Sequence, residues 1–200
     1  MKKISCLFFF VCCIQISFAQ KNKSYADSVK AYQKNYVALH EVVKGKERKL
    51  FRFFAADETY KLQCSFIKSS DTAVVKMKTS GKTIPQKDFI RYGKLFFSIH
   101  DTALQLTVYQ SLQQNPQYKN YLFIPFTDVT TGDETYGSGR YIDILTTDIK
   151  NNRVEIDFNT AYNPYCAYSA GYNCPIPPRE NYLPVVIMAG EKNFAKSGGH

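Results

Sequence analysis

Residues 60–66, YKLQCSF, decide the fold class because their side chains alternate between apolar and polar. Tyr60, Leu62, Cys64 and Phe66 fall on one side of an extended chain and polar residues fall on the other, which is typical of a half-buried strand. The pattern predicts a mainly β protein, either an antiparallel β-sandwich or a partly closed barrel. Further strands are predicted at residues 73–78, 93–99, 104–109, 121–124, 140–144, 154–158 and 183–189.

One N-terminal α-helix is predicted before the strands. Between Ser24 and about Val43, apolar residues recur at intervals of three and four, which is the period of an amphipathic helix. His40 lies near the end of this segment and is interpreted as a surface imidazole. Farther along the chain, residues 100–102 (HDT) fit a turn between two predicted strands, so these strands are expected to form a hairpin.

The first 19 residues have the features of a secretory signal peptide, with two early lysines, an apolar run from Ile4 to Ile16 and small residues before the cleavage point. The run is too short to span a bilayer and no second long one follows, so no transmembrane span is expected. Lipid attachment through Cys12 or Cys13 is less favoured, because a large residue precedes each cysteine. We expect an exported protein, periplasmic or extracellular, with one globular domain over residues 20–195 and a frayed tail at 196–200.

The formal net charge is +9, and much of the positive charge lies near the N-terminus. Residues 21–52 contain nine Lys or Arg and three acidic residues. A basic segment can contact nucleic acid or an anionic membrane, but no nucleic-acid motif accompanies it, so a solvated basic helix face is preferred. The glycines at 137 and 139 precede a predicted strand, whereas a phosphate-binding loop opens a helix. Neither a nucleic-acid partner nor a cofactor is expected.

Three cysteines remain after the signal peptide: Cys64, Cys166 and Cys174. Cys64 points to the core side of its strand and is assigned as the unpaired thiol. For Cys166 and Cys174 a disulfide is the leading interpretation, because an exported chain meets an oxidising environment. Two alternatives stay open. One is a metal site, although zinc usually recruits four ligands with closer cysteines, and the other is a nucleophilic cysteine acting with His100.

Residues 161–181, AYNPYCAYSAGYNCPIPPREN, form the candidate functional segment. They hold four of the eight prolines and four tyrosines, a composition that predicts a shaped loop. Arg140 stands at the start of a strand with an otherwise apolar face, where a structural salt bridge is preferred to a ligand contact. The residues predicted to form a binding site are Arg140, Asp157, Asn159, Tyr162, Asn163, Tyr165, Tyr168, Glu180 and Asn181.

Two functions from different classes fit this set. Aromatic faces beside amides and charges suit a glycan or a peptide, which favours a binding or structural module of the cell envelope. The alternative is a carboxylate-dependent hydrolase that uses Asp157 and Glu180 as a pair. The first is preferred because Asp157 shares a polar strand face with Glu155, so no catalytic residue is assigned. A purely structural explanation also accounts for the loop. In this explanation the loop covers the sheet, the disulfide closes it, and Asn and Asp side chains hydrogen-bond to backbone groups.

Several long sequence motifs, most of them in the second half of the chain, resemble those of a known family. They are FIPFTDVTTGDETYGSGRYIDI at 123–144, DFNTAYNPYCAYSAGYNCPIPPREN at 157–181 and AGEK at 189–192, preceded by KDFIRYGKLFFSIHDTALQLTVYQ at 87–110. Together they resemble the uncharacterised prokaryotic family called domain of unknown function 1684, in its shorter, exported form. The resemblance covers most of the mature chain, but the family has no established activity, ligand or catalytic residue to carry over.

Overall fold

The computed structural model describes residues 25–113 and 116–195. The predicted signal peptide and the predicted tail lie outside the described residues. In the described part of the chain, no helix is both long and apolar enough to cross a bilayer.

The main helix, α1, covers residues 25–39 of the described chain, and a 3₁₀ helix follows at Gly45–Leu50. The predicted end near Val43 is wrong by about one turn. The chain leaves the helix at His40, whose Nδ1 accepts a hydrogen bond of 3.0 Å from the Val43 backbone N–H. The prediction that His40 lies on the surface is also wrong, because only 4% of it is exposed.

In the described residues, eight strands form one largely antiparallel sheet, in which β5 and β8 make a short parallel pair. The order is β6-β5-β4-β3-β1-β7, with β2 paired to β3 and β8 paired in parallel to β5. The sheet curls into a half-barrel that brings β6 and β7 near each other, which confirms the predicted mainly β, partly closed architecture. The strands are β1 Lys61–Lys68, β2 Val74–Lys78, β3 Gln86–Ile99, β4 Thr102–Ser111, β5 Tyr121–Asp128, β6 Arg140–Leu145, β7 Arg153–Asp157 and β8 Tyr182–Leu183.

The predicted hairpin is confirmed as the β3–β4 pair. Its turn places His100 and Asp101 at φ values of 46° and 63°, a left-handed conformation that suits a tight hairpin. The predicted strand at 183–189 is wrong in extent, because only Tyr182 and Leu183 pair with β5. The segment after Leu183 still alternates in burial, so it fills the core without joining the sheet.

The concave side of the half-barrel holds the main apolar core, and the outer side of β2 to β5 holds a smaller cluster around Phe89 and Tyr109. Alternation on β6 shows the division: Arg140, Ile142 and Ile144 face the core, and Tyr141 and Asp143 face outward. The loop of residues 161–181 covers the outer side. The outer face of the sheet therefore forms the floor of the space beneath this loop.

Candidate functional site

The loop of residues 161–181 crosses the outer face of the sheet and is fixed on both sides. At β6, Tyr141 and Tyr162 exchange backbone hydrogen bonds of 2.9 and 3.1 Å. On the far side, the Ile176 N–H donates to the Lys78 carbonyl of β2 at 2.8 Å. Because β3, β4 and β5 lie between β2 and β6, the loop must pass over them.

Cys166 and Cys174 form a disulfide inside this loop, with 6.3 Å between their Cα atoms, so the predicted pairing is confirmed. The metal and nucleophile alternatives for this pair therefore fall away. Among the described cysteines, Cys64 is the free, buried thiol, as predicted. Burial raises its pKa to about 12, so the thiol stays protonated at neutral pH.

A cavity of about 820 Å³ lies between α1, the outer face of the sheet and the loop. Ligand pockets commonly measure about 300 to 1,000 Å³, so this space is large enough for a small organic ligand. Several of its rings meet solvent, among them Tyr32 (41% exposed) and Tyr172 (39% exposed). We call this space the aromatic cleft, and its main walls are Tyr32, Tyr36, Phe123, Tyr141, Tyr162, Tyr165 and Tyr172.

Asp143 is the carboxylate on the floor of the aromatic cleft. Its Oδ2 accepts a hydrogen bond of 2.6 Å from the Tyr162 hydroxyl, and no ion pair joins Asp143 to any described residue. Its side chain is exposed to the cleft, yet the surrounding protein removes enough hydration to raise its pKa, against the lowering effect of the Tyr162 bond. Asp143 is thus a carboxylate that faces the cleft without a salt bridge to any described residue.

Glu191 forms a second, closed polar centre behind the cleft. It is fully buried and accepts hydrogen bonds from the Tyr168 hydroxyl at 2.7 Å, the Tyr36 hydroxyl at 3.3 Å and the Asn163 N–H at 2.9 Å. Burial raises the pKa of Glu191 to about 7, although each of these hydrogen bonds lowers it. The centre joins α1 to the loop, so it fixes one wall of the cleft to the other.

His40 also lines the aromatic cleft and packs edge-on against Tyr36 and Tyr168. Burial, with the nearby Lys44 and Arg48 as the next causes, lowers its pKa to about 4, so the ring is neutral at physiological pH. Its Nε2 is buried and has no hydrogen-bond partner among the described residues. His40 therefore helps to close the end of α1 over the aromatic residues of the loop.

Arg140 is buried on the core side of β6. Its Nη2 lies 3.2 Å from Asp128 Oδ2 and donates to the Ile187 carbonyl at 3.2 Å, while Nη1 donates to the carbonyls of Ala189 and Glu191. Burial lowers the pKa of Arg140, and the Asp128 carboxylate opposes that shift. The salt-bridge interpretation of Arg140 is confirmed, and its position is fully buried rather than at the mouth of the face.

Asp157 and Asn159 lie at the end of β7, away from the cleft walls. Asp157 accepts hydrogen bonds from the Tyr25 hydroxyl and from the Asn159 N–H, at 3.0 and 2.9 Å. The Asn159 amide bonds to the backbone N–H and carbonyl of Asp57, at 3.0 and 2.8 Å. These contacts connect α1 and the segment before β1 to the start of the loop.

Glu180 and Asn181 lie at the other end of the loop, over β3 and β4. Glu180 Oε1 lies 3.1 Å from Arg91 Nε and accepts a hydrogen bond from the Tyr109 hydroxyl. The buried Asn181 amide bonds to both backbone groups of Thr107, at 2.8 and 2.9 Å. Asp157 and Glu180 share no hydrogen-bond partner among the described residues, so nothing there favours the hydrolase alternative.

Of the nine predicted binding residues, two line the aromatic cleft, Tyr162 and Tyr165. Asn163 and Tyr168 belong to the Glu191 centre behind it. Sequence reasoning missed Asp143 and the tyrosines of α1. A signal for Asp143 was present, because alternation from Arg140 places it outward beside the predicted loop. The remaining predicted residues, Arg140, Asp157, Asn159, Glu180 and Asn181, have structural partners outside the cleft walls.

In the described part of the chain, no group of three or more His, Cys, Asp or Glu side chains is arranged to hold a metal ion. The aromatic cleft is instead built mainly from rings and hydroxyls, with the carboxylates of Asp143 and Glu41 and the amine of Lys87 in its lining. Such a lining can bind a molecule by stacking and hydrogen bonding.

Comparison with known proteins gives a fold relative and a family. The solution NMR structure of an uncharacterised protein from Haloarcula marismortui is similar, with a TM-score of 0.64 and 24% identity over 86% of this chain and 96% of that chain. At this identity the likeness supports the fold alone. No curated protein matches the chain. A family model described as "Protein of unknown function (DUF1684)" matches residues 47–192, which is most of the chain, so the chain belongs to the DUF1684 family.

Proposed function

We propose that this protein is an exported binding module whose aromatic cleft recognises a glycan of the cell envelope. The observation that carries the proposal is the concentration of accessible aromatic rings in a cavity of about 820 Å³. The flat face of a sugar ring packs against an aromatic ring, and this contact orients the sugar as well as burying its apolar surface.

Polar groups among the rings suit the hydroxyls of a sugar. Asp143 accepts hydrogen bonds on the floor, Asn35 of α1 offers an amide, and Ser111 at the end of β4 offers a hydroxyl. A binding site of this kind needs a few placed polar groups to fix orientation, with apolar walls supplying most of the buried area. The lining therefore combines both requirements.

A glycan fits better than an extended peptide because of the sheet edges beside the cleft. Peptides commonly bind by adding a strand to an open edge. Here the outer edge of β6 is bridged by Tyr162 and the end of β2 by Ile176, and just after β2 the Cys174 carbonyl accepts from the Ser80 N–H at 2.9 Å. The loop itself thus occupies the strand positions that a peptide would use.

Export is part of the proposal, and two observations support it. The first 19 residues have a signal-peptide pattern, and the loop that forms one wall of the cleft is closed by the Cys166–Cys174 disulfide. Disulfides persist in oxidising compartments, where envelope glycans are also accessible.

The test is a calorimetric titration of the mature chain with neutral oligosaccharides from bacterial envelopes, alongside peptides of similar size. We expect saturable binding of at least one oligosaccharide. Tyr172→Ala removes an exposed cleft ring and is expected to weaken that binding about tenfold, the factor that ~1.4 kcal/mol of stacking represents. Tyr182→Ala is the matched control, because Tyr182 is 50% exposed and lies outside the cleft.

Three results would count against the glycan. They are binding of peptides alone, an equal loss in both tyrosine variants, and no binding of any oligosaccharide in the panel. The first would keep the cleft and replace the ligand class, whereas the second would move the site away from the cleft.

A further inference from the structure

We propose that Asp143 and the rings around it form a subsite for a positively charged organic ammonium group of the ligand. The inference rests on the aromatic cleft being the binding site, as proposed above, and it adds the charge that the ligand carries there. Neither the resemblance to the family nor the fold relative assigns any ligand.

The charge of Asp143 is the first argument. Asp143 is exposed to the cleft, and an ionised carboxylate has two oxygens that can each accept hydrogen bonds. Asp143 receives one hydrogen bond, from Tyr162 to Oδ2, while its Oδ1 has no donor among the described residues. Every described ion pair of this protein involves other residues. The second oxygen therefore remains available to a donor from a ligand.

The rings around Asp143 are the second argument, because they form a continuous aromatic wall. Phe123, the cross-strand neighbour of Asp143, lies 4.7 Å from Tyr141 between ring centroids. Tyr141 lies 5.7 Å from Tyr162, and Tyr162 lies 6.1 Å from Tyr36. The faces of aromatic rings carry partial negative charge and attract cations, and groups of such rings recognise ammonium ligands.

The other titratable groups near the subsite leave its negative charge in place. Burial raises the pKa of Tyr32 to about 12 and also raises the pKa values of Tyr141 and Tyr162, and the charge of Asp143 adds to each shift, so all three phenols stay neutral. His40 is neutral, and Glu41 adds a further acidic group, which accepts from the Tyr165 hydroxyl at 3.1 Å.

Lys87 is the basic side chain that lines the same cavity. It lies on β3, three strands from β6, a separation of about 14 Å at the usual spacing between strands. That distance exceeds the screening length of about 8 Å at physiological ionic strength, so Lys87 does not replace a cation at Asp143.

An organic cation fits the subsite better than a metal ion. Calcium takes about six to eight oxygen ligands, and the subsite offers one carboxylate among rings. A trimethylammonium or protonated amine needs no coordination sphere and gains from both the rings and the carboxylate. The recognised group is therefore an ammonium, as found on amino sugars and on lysine side chains.

The closing experiment compares choline with 3,3-dimethylbutan-1-ol, a neutral molecule of the same shape, in NMR titrations at pH 7.5. We expect the intact chain to bind choline about tenfold more tightly than the neutral probe. Asp143→Asn should abolish that preference. Asp133→Asn, the same change at an exposed loop position outside the cleft, should retain it.

A second variant protects the test from a folding failure of the first. Tyr32→Leu removes an exposed ring from α1 and should weaken choline binding severalfold while changing the neutral probe less. Titrations with glucosamine and with Nα-acetyl-lysinamide then separate a sugar amine from a peptide amine.

The proposal is overturned if the intact chain shows no preference for choline, or if folded Asp143→Asn keeps the preference. Neutral oligosaccharides that bind while choline does not would sink this inference and leave the proposed function intact. Choline binding together with no binding of any oligosaccharide would sink the proposed function and leave the ammonium subsite intact. Failure of every probe would remove both.

Discussion

Arg140 and Asp143 lie three residues apart on β6 and face opposite sides of the sheet. They differ in how many partners the fold provides for their charges. Arg140 is 1% exposed, pairs with Asp128 and donates to three backbone carbonyls. Asp143 meets the aromatic cleft and receives a single described hydrogen bond. A charge that the chain satisfies completely contributes to the fold, whereas a charge that it leaves open is available for binding.

The largest effect on stability should follow from removing Arg140, the charge that the fold satisfies. Arg140→Met leaves Asp128 and three carbonyls without their main partner, and we expect the free energy of unfolding to fall by about 3 to 5 kcal/mol. Urea denaturation of both proteins measures the difference.

The matched control is Arg91→Met. Arg91 pairs with Glu180 at 3.1 Å, but a third of its side chain is exposed, so a loss below about 1 kcal/mol is expected. Equal losses in the two variants would mean that burial does not distinguish the two ion pairs.

Glu191 extends the comparison because it is buried like Arg140 but forms no salt bridge with any described residue. Its pKa is raised from 4.5 to about 7, so the folded state binds its proton more tightly than the unfolded state. Stability from this group is full below pH 4.5 and is lost as pH rises to 7, by about 3 kcal/mol at 1.36 kcal/mol per pKa unit. Denaturation of the protein and of Glu191→Gln at several pH values should show the protein losing that amount relative to the variant.

His40 provides a control of opposite sign. Its pKa is lowered from 6.5 to about 4, so the folded state resists protonation and its contribution is lost as pH falls from 6.5 to 4. Relative to His40→Asn, the protein should therefore gain stability with rising pH. If the stability difference from the unmodified protein changed with pH in the same direction for Glu191→Gln and for His40→Asn, these assignments would be contradicted.

The next prediction concerns the Cys166–Cys174 disulfide, which cross-links the loop that forms one wall of the cleft. Replacing both Cys166 and Cys174 by Ser should lower the free energy of unfolding by about 2 to 3 kcal/mol, because the unfolded chain gains freedom. Denaturation with and without reductant checks this. Reductant should bring the unmodified protein to the level of the double variant and leave the variant unchanged, and no response of the protein would refute the contribution.

Asp143→Asn should give the smallest effect on stability. The carboxylate has no ion-pair partner to lose and its pKa is raised in the fold, so the change in unfolding free energy should stay within about 0.5 kcal/mol. The same urea series measures it. A loss as large as that of Arg140→Met would make Asp143 a structural residue and remove the contrast between the two faces.

Sequence patterns predicted the elements of the fold better than their ends. The β3–β4 hairpin followed from alternation and a two-residue turn, and the disulfide followed from the loop composition and the predicted compartment. The end of α1 and the extent of the last strand were wrong, because both depend on tertiary partners: His40 caps its own turn, and residues after Leu183 fill the core without pairing.

The candidate site was less predictable because composition drew attention to one segment. Tyr162 and Tyr165 were found in the tyrosine-rich loop, and they do line the cleft. The other walls come from α1 and from the outward face of β6, more than 100 and about 20 residues earlier in the chain. Such residues become neighbours only when the loop crosses the sheet.

By itself, the sequence determined the mainly β class and the family, and it favoured a disulfide between Cys166 and Cys174, because alternation, spacing and sequence motifs are local properties. Tertiary structure alone decided which charges are satisfied. Alternation places Arg140 and Asp143 on opposite faces of the strand, but it does not show which of the two charges finds partners, because those partners lie on distant parts of the chain. Hydrogen bonds and burial are set by that distant chain, so the contrast between a structural cation and an available carboxylate exists only in the folded molecule.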